Sequence, residues 1–173
     1  MFRARTWLAS ICLVFTSCIE TPSAPGQDRS RSATRERRVA TAPANGFGDQ
    51  IAWRTLDEGL AEAAELRRPL MLVVHAAWCS SCQALKPSFS NETLVDLSHD
   101  FVMINLDQDA EPRSLEFAPD GSYIPRVVFL DPRTGRTDPT ILNQRRADRR
   151  YYYGAADDIV GAMKKALARH GKT

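Results

Sequence analysis

A chain of 173 residues, 43% apolar and 25% charged, fits one ordinary soluble domain. Its net charge of +2 is unevenly placed: residues 1–47 carry seven basic and three acidic residues, and residues 48–173 carry sixteen and eighteen. The slightly acidic remainder offers no electrostatic footprint for nucleic acid, and that partner class is set aside.

The N-terminus reads as an export signal. Arg3 and Arg5 supply a positive start, and Trp7–Phe15 an apolar stretch too short to span a bilayer. It ends at Phe15-Thr16-Ser17-Cys18, which resembles a bacterial lipoprotein cleavage box: a large apolar residue, two small ones, then cysteine. That resemblance implies a signal peptide over residues 1–17 and lipid attachment at Cys18. A plain secretory signal with Cys18 incidental, or an uncleaved anchor, stays open. From Glu20 to about Gly46 the chain is rich in Ser, Thr, Pro, Ala and Arg without apolar periodicity. This composition predicts a disordered tether over residues 18–48. Its arginines Arg29, Arg31, Arg35, Arg37 and Arg38 read as a solvated linker, with anionic lipid head groups as the alternative contact.

The folded domain is expected over residues 49–173. Thr55-Leu56-Asp57-Glu58 is a capping box opening a helix to about Arg67, with Leu56, Leu60, Ala63 and Ala64 as its buried stripe. Pro69 punctuates it, and Leu70–Val74 is a continuous apolar run, the pattern of a strand covered on both faces. A helix follows from about Cys79, interrupted by Pro87; Thr93–Ser98 continues helically and Phe101–Leu106 is the next strand. Residues 107–123 read as a loop with at most one helical turn. Arg126–Leu130 is a strand, Asp131-Pro132-Arg133-Thr134-Gly135 a turn, and Arg136–Leu142 a partner or edge strand. Asp157–Ala168 closes the chain as a helix with Ile159, Val160, Met163 and Leu167 inward. The sum is an α/β domain, a central mixed β-sheet flanked by helices.

Cysteine usage points to chemistry. The four cysteines are Cys12, Cys18, Cys79 and Cys82. Cleavage removes Cys12 and lipidation consumes Cys18, so the exported chain keeps one pair, Cys79-Ser80-Ser81-Cys82. A Cys-x-x-Cys where a strand feeds a helix puts Cys79 at the helix N-terminus, where unpaired N–H groups and the helix dipole favour a thiolate. Cys82, one turn inside, is close enough to close a disulfide with it. Half of a zinc site is the competing reading. Zinc wants four ligands, and only His75, His99 and His170 remain as soft donors, so no metal is expected.

The order of parts resembles the thioredoxin fold. Ile124-Pro125 lies 43 residues after Cys82 and directly before the Arg126–Leu130 strand, where thioredoxin-like proteins carry a cis proline against the active-site sulfurs. Within that superfamily the chain is similar to thioredoxin domain-containing protein 12 and the anterior gradient proteins. The phrases Pro69-Leu70-Met71, Trp78-Cys79 with Cys82, Ala84-Leu85-Lys86-Pro87, Phe101-Val102-Met103, Tyr123-Ile124-Pro125-Arg126, Phe129-Leu130-Asp131-Pro132 and Tyr151–Tyr153 carry the likeness. The chain departs from the endoplasmic-reticulum members by ending His170-Gly171-Lys172-Thr173, without their retrieval tail. With the lipoprotein-like start, the likeness implies a bacterial relative on the periplasmic side of a membrane.

The resemblance also assigns roles. Cys79 is the expected nucleophile and Cys82 the resolving thiol. Trp78 flanks the nucleophile, Ser80 and Ser81 tune the potential, and Ile124 with Pro125 pairs with an extended substrate. Thioredoxins usually hold a buried acid six residues before the first cysteine; here that residue is Val73. Lys86, one turn beyond Cys82, is the first substitute for handling protons, with Glu58, Asp107 or water behind it. His75 reads as a satisfied core histidine. The function expected is a thiol–disulfide oxidoreductase on protein substrates, using no cofactor beyond the Cys79–Cys82 disulfide and recycled by a membrane thiol–disulfide partner. Reduction or interchange is favoured over oxidation, since the Ser-Ser dipeptide lacks the histidine of strong oxidants. A non-catalytic peptide-binding or chaperone-like module is the alternative.

Overall fold

A computed structural model of the chain describes residues 38–171. The expected signal peptide, Cys18 and the tether as far as residue 37 lie outside the described residues. Among the described residues no helix is long and apolar enough to cross a membrane.

Four strands form one mixed sheet: β1 (Trp53–Arg54), β2 (Leu70–His75), β3 (Val102–Asp107) and β4 (Arg126–Leu130), in the order β1-β3-β2-β4. β3 runs parallel to both β1 and β2, and β4 pairs antiparallel with β2. Every residue of β2 is buried, because both faces of the sheet are covered and neither side chain set meets water. Leu70, Leu72 and Val74 face one layer with Val102, Ile104, Leu106, Val128 and Leu130. There they meet Leu56 and Ala63 of α1 (Leu56–Leu66). Met71 and Val73 face the other layer with Met103, Val127 and Phe129. That layer is closed by α2 (Ser80–Leu85), a 3-10 turn over Lys86–Ser90, α3 (Glu92–Ser98) and α4 (Ile159–His170). This is the mixed α/β architecture expected from the sequence.

Local signals explain the element ends. Thr55 and Glu58 make the reciprocal capping box of α1, and Asn91 and Asp158 cap α3 and α4 through their side-chain oxygens. Pro87 ends α2 as expected, converting the next turn to 3-10 geometry.

Four expectations need correction. The first concerns the tether, which does not reach residue 48. The Thr41 N–H donates to the Trp53 carbonyl at 2.9 Å, and Phe47 is fully buried against the sheet. Arg38 is no solvated linker residue either. It pairs with Glu62 at 2.6 Å and donates to the carbonyls of His99 and Phe101. Second, Ala64 is exposed and Gly59 takes its place in the buried stripe of α1, because the helix sits too close to Ile104 for a side chain there. Third, Arg136–Leu142 forms no strand. Only Thr137 bridges to Leu130; Pro139 has no N–H to donate, and the Asp138 carboxylate captures the Thr140 N–H at 2.8 Å. The outer edge of β4 is covered by two short stretches, Asp138 N–H donating to the Phe129 carbonyl at 2.8 Å and the Tyr-rich segment accepting Val127 N–H at the Tyr151 carbonyl at 2.9 Å. Fourth, Ala162 and Ala166 join Ile159 and Met163 as the fully buried face of α4, while Val160 and Leu167 are half-buried beside them.

Candidate active site

β2 delivers the chain to the site, and after Ala76, Ala77 and Trp78 the backbone turns into α2. Cys79 takes the N-cap position in extended conformation (φ −79°, ψ 110°). Its Sγ accepts the Cys82 N–H at 3.1 Å, the place a Ser or Asp oxygen takes at other helix starts. Cys79 and Cys82 are joined as a disulfide, with Cα atoms 5.2 Å apart. Access differs between them: Cys79 is 7% exposed and Cys82 0%. Cys79 keeps a small exposed area and Cys82 none.

The facing wall is the loop before β4. The Ile124–Pro125 peptide bond is cis, and Ile124 packs on the cluster of Ala76, Cys79 and Cys82. Ile124 N–H and C=O make no hydrogen bond within the described residues, so both are free for an incoming chain. Arg126 holds this loop from beneath. Fully buried, it donates to the carbonyls of Phe117 and Ser114 at 2.8 Å and Tyr123 at 2.7 Å. Burial pushes its pKa down from the ordinary arginine value; carbonyl oxygens, not a carboxylate, are its partners. Tyr123 fixes the outer side: its hydroxyl donates to Asp120 and accepts the Tyr151 N–H at 3.0 Å. Burial and the Asp120 carboxylate together raise the Tyr123 pKa. The sequence carried Arg126 only as part of a family phrase. Its role as a clamp shows only when the carbonyls of Ser114, Phe117 and Tyr123, from two separate segments, converge on it.

The remaining site residues divide. Trp78 stands beside Cys79 but is 68% exposed rather than packed, with its indole N–H on Asp109 at 2.7 Å. Ser80 is exposed and Ser81 half-buried at the rim. Lys86 keeps the α-helical register one turn beyond Cys82, its N–H donating to the Cys82 carbonyl, and its side chain extends over Phe47 with the ammonium 5.6 Å from the ring centre. Glu58 is engaged with Thr41 and Thr55 at the start of α1, and those hydrogen bonds lower its pKa. Asp107 ends β3 in register with His75.

His75 differs most from expectation. It is 2% exposed, its ring tilted 46° against Phe47 with centroids 4.8 Å apart, and among the described residues neither ring nitrogen has a hydrogen-bond partner of normal geometry. Asn105 lies near, but its side chain is taken up by the Pro43 and Ala44 carbonyls and by Asn45. Burial lowers the His75 pKa, Asp107 opposes that shift, and Lys86 adds to it. The Asn105 side chain also raises the pKa, opposing burial together with Asp107, but among the described residues it makes no hydrogen bond of normal geometry to the ring. Among the described residues no three His, Cys, Asp or Glu side chains gather to hold a metal ion, and His170 binds Asp138 at 2.6 Å.

Known proteins agree with this picture. A family described as thioredoxin-like matches residues 52–132. Anterior gradient protein 3 of Mus musculus is 40% identical over 139 residues, covering 77% of this chain and 81% of that protein. The chain belongs to the anterior gradient family of thioredoxin-like proteins. Anterior gradient protein 2 homolog of Homo sapiens is 34% identical over 166 residues, 93% of this chain and 91% of the relative. Among solved structures, a thioredoxin from Thermus thermophilus superposes with a TM-score of 0.53 at 21% identity, over 70% of this chain and 91% of that one. The last likeness concerns the fold alone. In this family member the paired, unequally exposed sulfurs are the apparatus of thiol–disulfide exchange.

Proposed function

We propose that the protein is a thiol–disulfide oxidoreductase acting on protein disulfides outside the cytoplasm, as a reductase or interchange catalyst. The observation that carries this is the inequality of the two sulfurs: Cys79 capped by an N–H and reachable, Cys82 shielded behind it. In the reduced protein the Cys79 thiolate attacks one sulfur of a client disulfide, and the client's other sulfur leaves as a thiolate that takes up a proton. Cys82 then gives up its proton and attacks Cys79 Sγ. The client's second sulfur departs as a thiol, and the Cys79–Cys82 disulfide re-forms. Two electrons have passed to the client, and a membrane thiol–disulfide partner restores them. The free backbone groups of Ile124, beside Pro125, pair with the client as an added strand. Ser80 and Ser81 bring no charge to the thiolate, which supports a reducing potential over that of a strong oxidant.

Export is supported by Arg3, Arg5, the apolar Trp7–Phe15 and the box ending at Cys18, which together favour a lipid-anchored protein on the periplasmic side of a bacterial membrane.

Insulin-disulfide reduction with the full chain tests the reading. Cys79→Ser is expected to abolish it and Cys82→Ser to accumulate a mixed disulfide with the client. Equilibration with glutathione is expected to give a potential near that of thioredoxin, about −270 mV, rather than about −120 mV. Full function in Cys79→Ser would leave a chaperone-like binding module instead.

A further inference from the structure

We propose that the flank of the redox site beside Ser81 and Ile124 is an anion-selective subsite for an acidic side chain next to the client's reacting cysteine, with Arg149 as the selecting residue. This rests on the exchange reading above. A pocket of about 350 Å³ opens there, lined by Ser81, Ile124, Arg146, Asp148, Arg149 and Tyr152. Ser81 lies between the two cysteines and Ile124 packs on them. An extended chain bonded to Cys79 and paired with Ile124 therefore passes this pocket.

Its two cations are not equivalent. Arg146 is committed, 2.6 Å from Asp157 and stacked on Tyr152 with its guanidinium carbon 4.9 Å from the ring centre. Arg149 is exposed and has no carboxylate partner among the described residues. Its guanidinium carbon stands 6.0 Å from the centre of the Tyr123 ring, an aromatic face that steadies a cation without using its N–H donors. Asp148 sets one opposing charge at the rim. Asp120, the other acid beside Tyr123, is occupied by the Tyr123 hydroxyl and the Arg150 N–H, and Arg126 beneath the same loop is bonded only to carbonyls.

The backbone adds an independent observation. Arg149 has φ 54°, a left-handed conformation that disfavours any residue with a Cβ. Its carbonyl closes a turn with the Tyr152 N–H at 2.9 Å. A long cationic side chain kept where glycine fits more easily points to use of the side chain. Around Trp78, pinned to Asp109 between Asp107 and Glu111, the charge has the other sign. An acid is therefore favoured on one side of the client cysteine only.

The test uses the full chain and disulfide peptides identical except for Glu, Gln or Lys placed before or after the cysteine. Glu on one flank is expected to raise kcat/KM about two- to five-fold over Gln, the range for an exposed charge pair, and Lys to lower it. The advantage shrinks as salt rises. Arg149→Gln and Arg149→Gly bring the Glu-to-Gln ratio close to one, and Arg149→Glu inverts it. Arg149→Gly also relieves the backbone, so its loss of preference is not a folding defect. Equal exchange of all three peptides, or a Glu preference that survives in both neutral variants, overturns the subsite while leaving the oxidoreductase standing. No exchange with any peptide overturns both.

Discussion

Replacing His75 with phenylalanine separates a polar group held in the core at a cost from one that is satisfied there. The imidazole has two buried nitrogens without partners of normal geometry among the described residues, and each such atom costs about 1–3 kcal/mol. Phenylalanine removes both and keeps the ring contact with Phe47, but its larger ring crowds a filled layer at about 1–3 kcal/mol. At pH 7.5 the two effects nearly cancel, so stability there decides nothing. The pH dependence does. Burial lowers the pKa of His75 in the folded chain, so below the unfolded value of about 6.5 the unfolded state binds a proton that the folded state refuses. The contribution of His75 is therefore intact above that pH and is lost as pH falls toward its folded pKa. The slope is at most about 1.4 kcal/mol per pH unit. Urea unfolding of the disulfide form, for both proteins, between pH 7.5 and 5.5 gives a difference curve in which shared carboxylates cancel. His75→Phe is expected to gain up to about 1.4 kcal/mol relative to the parent by pH 5.5. A flat difference curve would mean that the folded protein protonates His75 freely, and the picture of a buried neutral ring would be wrong.

Other predictions follow from single contacts. Arg126→Met strands the buried carbonyls of Phe117, Ser114 and Tyr123, and should cost at least about 3 kcal/mol in urea unfolding. Arg126→Lys should recover little, since an ammonium cannot reach three separated carbonyls as the fork does; a lysine variant as stable as the parent would refute the clamp. Burial works against ionisation of Asp138, but hydrogen bonds from Thr140 and His170 and the charge of Arg169 outweigh it and hold its carboxyl at about 2. Because that lies below the unfolded value of about 3.9, its contribution is full above pH 4 and is lost as pH falls toward 2, so Asp138→Asn should cost about 2 kcal/mol at pH 7 and flatten the acid limb. Gly59→Ala normally gains about 1 kcal/mol in a helix, yet here the new Cβ would lie 2.5 Å from Ile104 Cδ1. Thermal melting should show a loss of about 1–3 kcal/mol, partly recovered by adding Ile104→Val.

Much of the scaffold was legible because its signals are local. The Leu70–His75 run is apolar on both pleat faces, and the Thr55–Glu58 pair announces a helix start within four residues. What escaped depends on partners far along the chain. Trp53–Arg54 is too short a strand to show alternation. The stretch before it has a linker's composition; its attachment rests on one buried aromatic, Phe47, and on Arg38 reaching Glu62 twenty-four residues away. Arg136–Leu142 misled in the opposite direction. The tight turn before it invites a pairing strand, but Pro139 has no N–H and the Asp138 carboxylate takes the Thr140 N–H that a ladder needs.

The site repeats the distinction at closer range. Cys79, Cys82 and the Ile124-Pro125 pair stand out by spacing, since strand-to-helix and loop-to-strand junctions fix where they point. Lys86 lies one turn beyond Cys82 as the spacing predicts, but the direction of its long side chain is set by Phe47, distant in the chain, whose ring the ammonium covers. Whether His75 is bonded or orphaned depends on which carbonyls have already claimed Asn105, a question of competition that no residue pattern encodes. The same holds for Arg149, one of four arginines between residues 144 and 150. Only the fold shows that Arg146 is tied to Asp157, and that Arg149, held in a left-handed turn over Tyr123, keeps its charge for another partner. Chemistry set by the order of residues along the chain is readable from the sequence; chemistry set by which groups are left over after folding requires the three-dimensional arrangement.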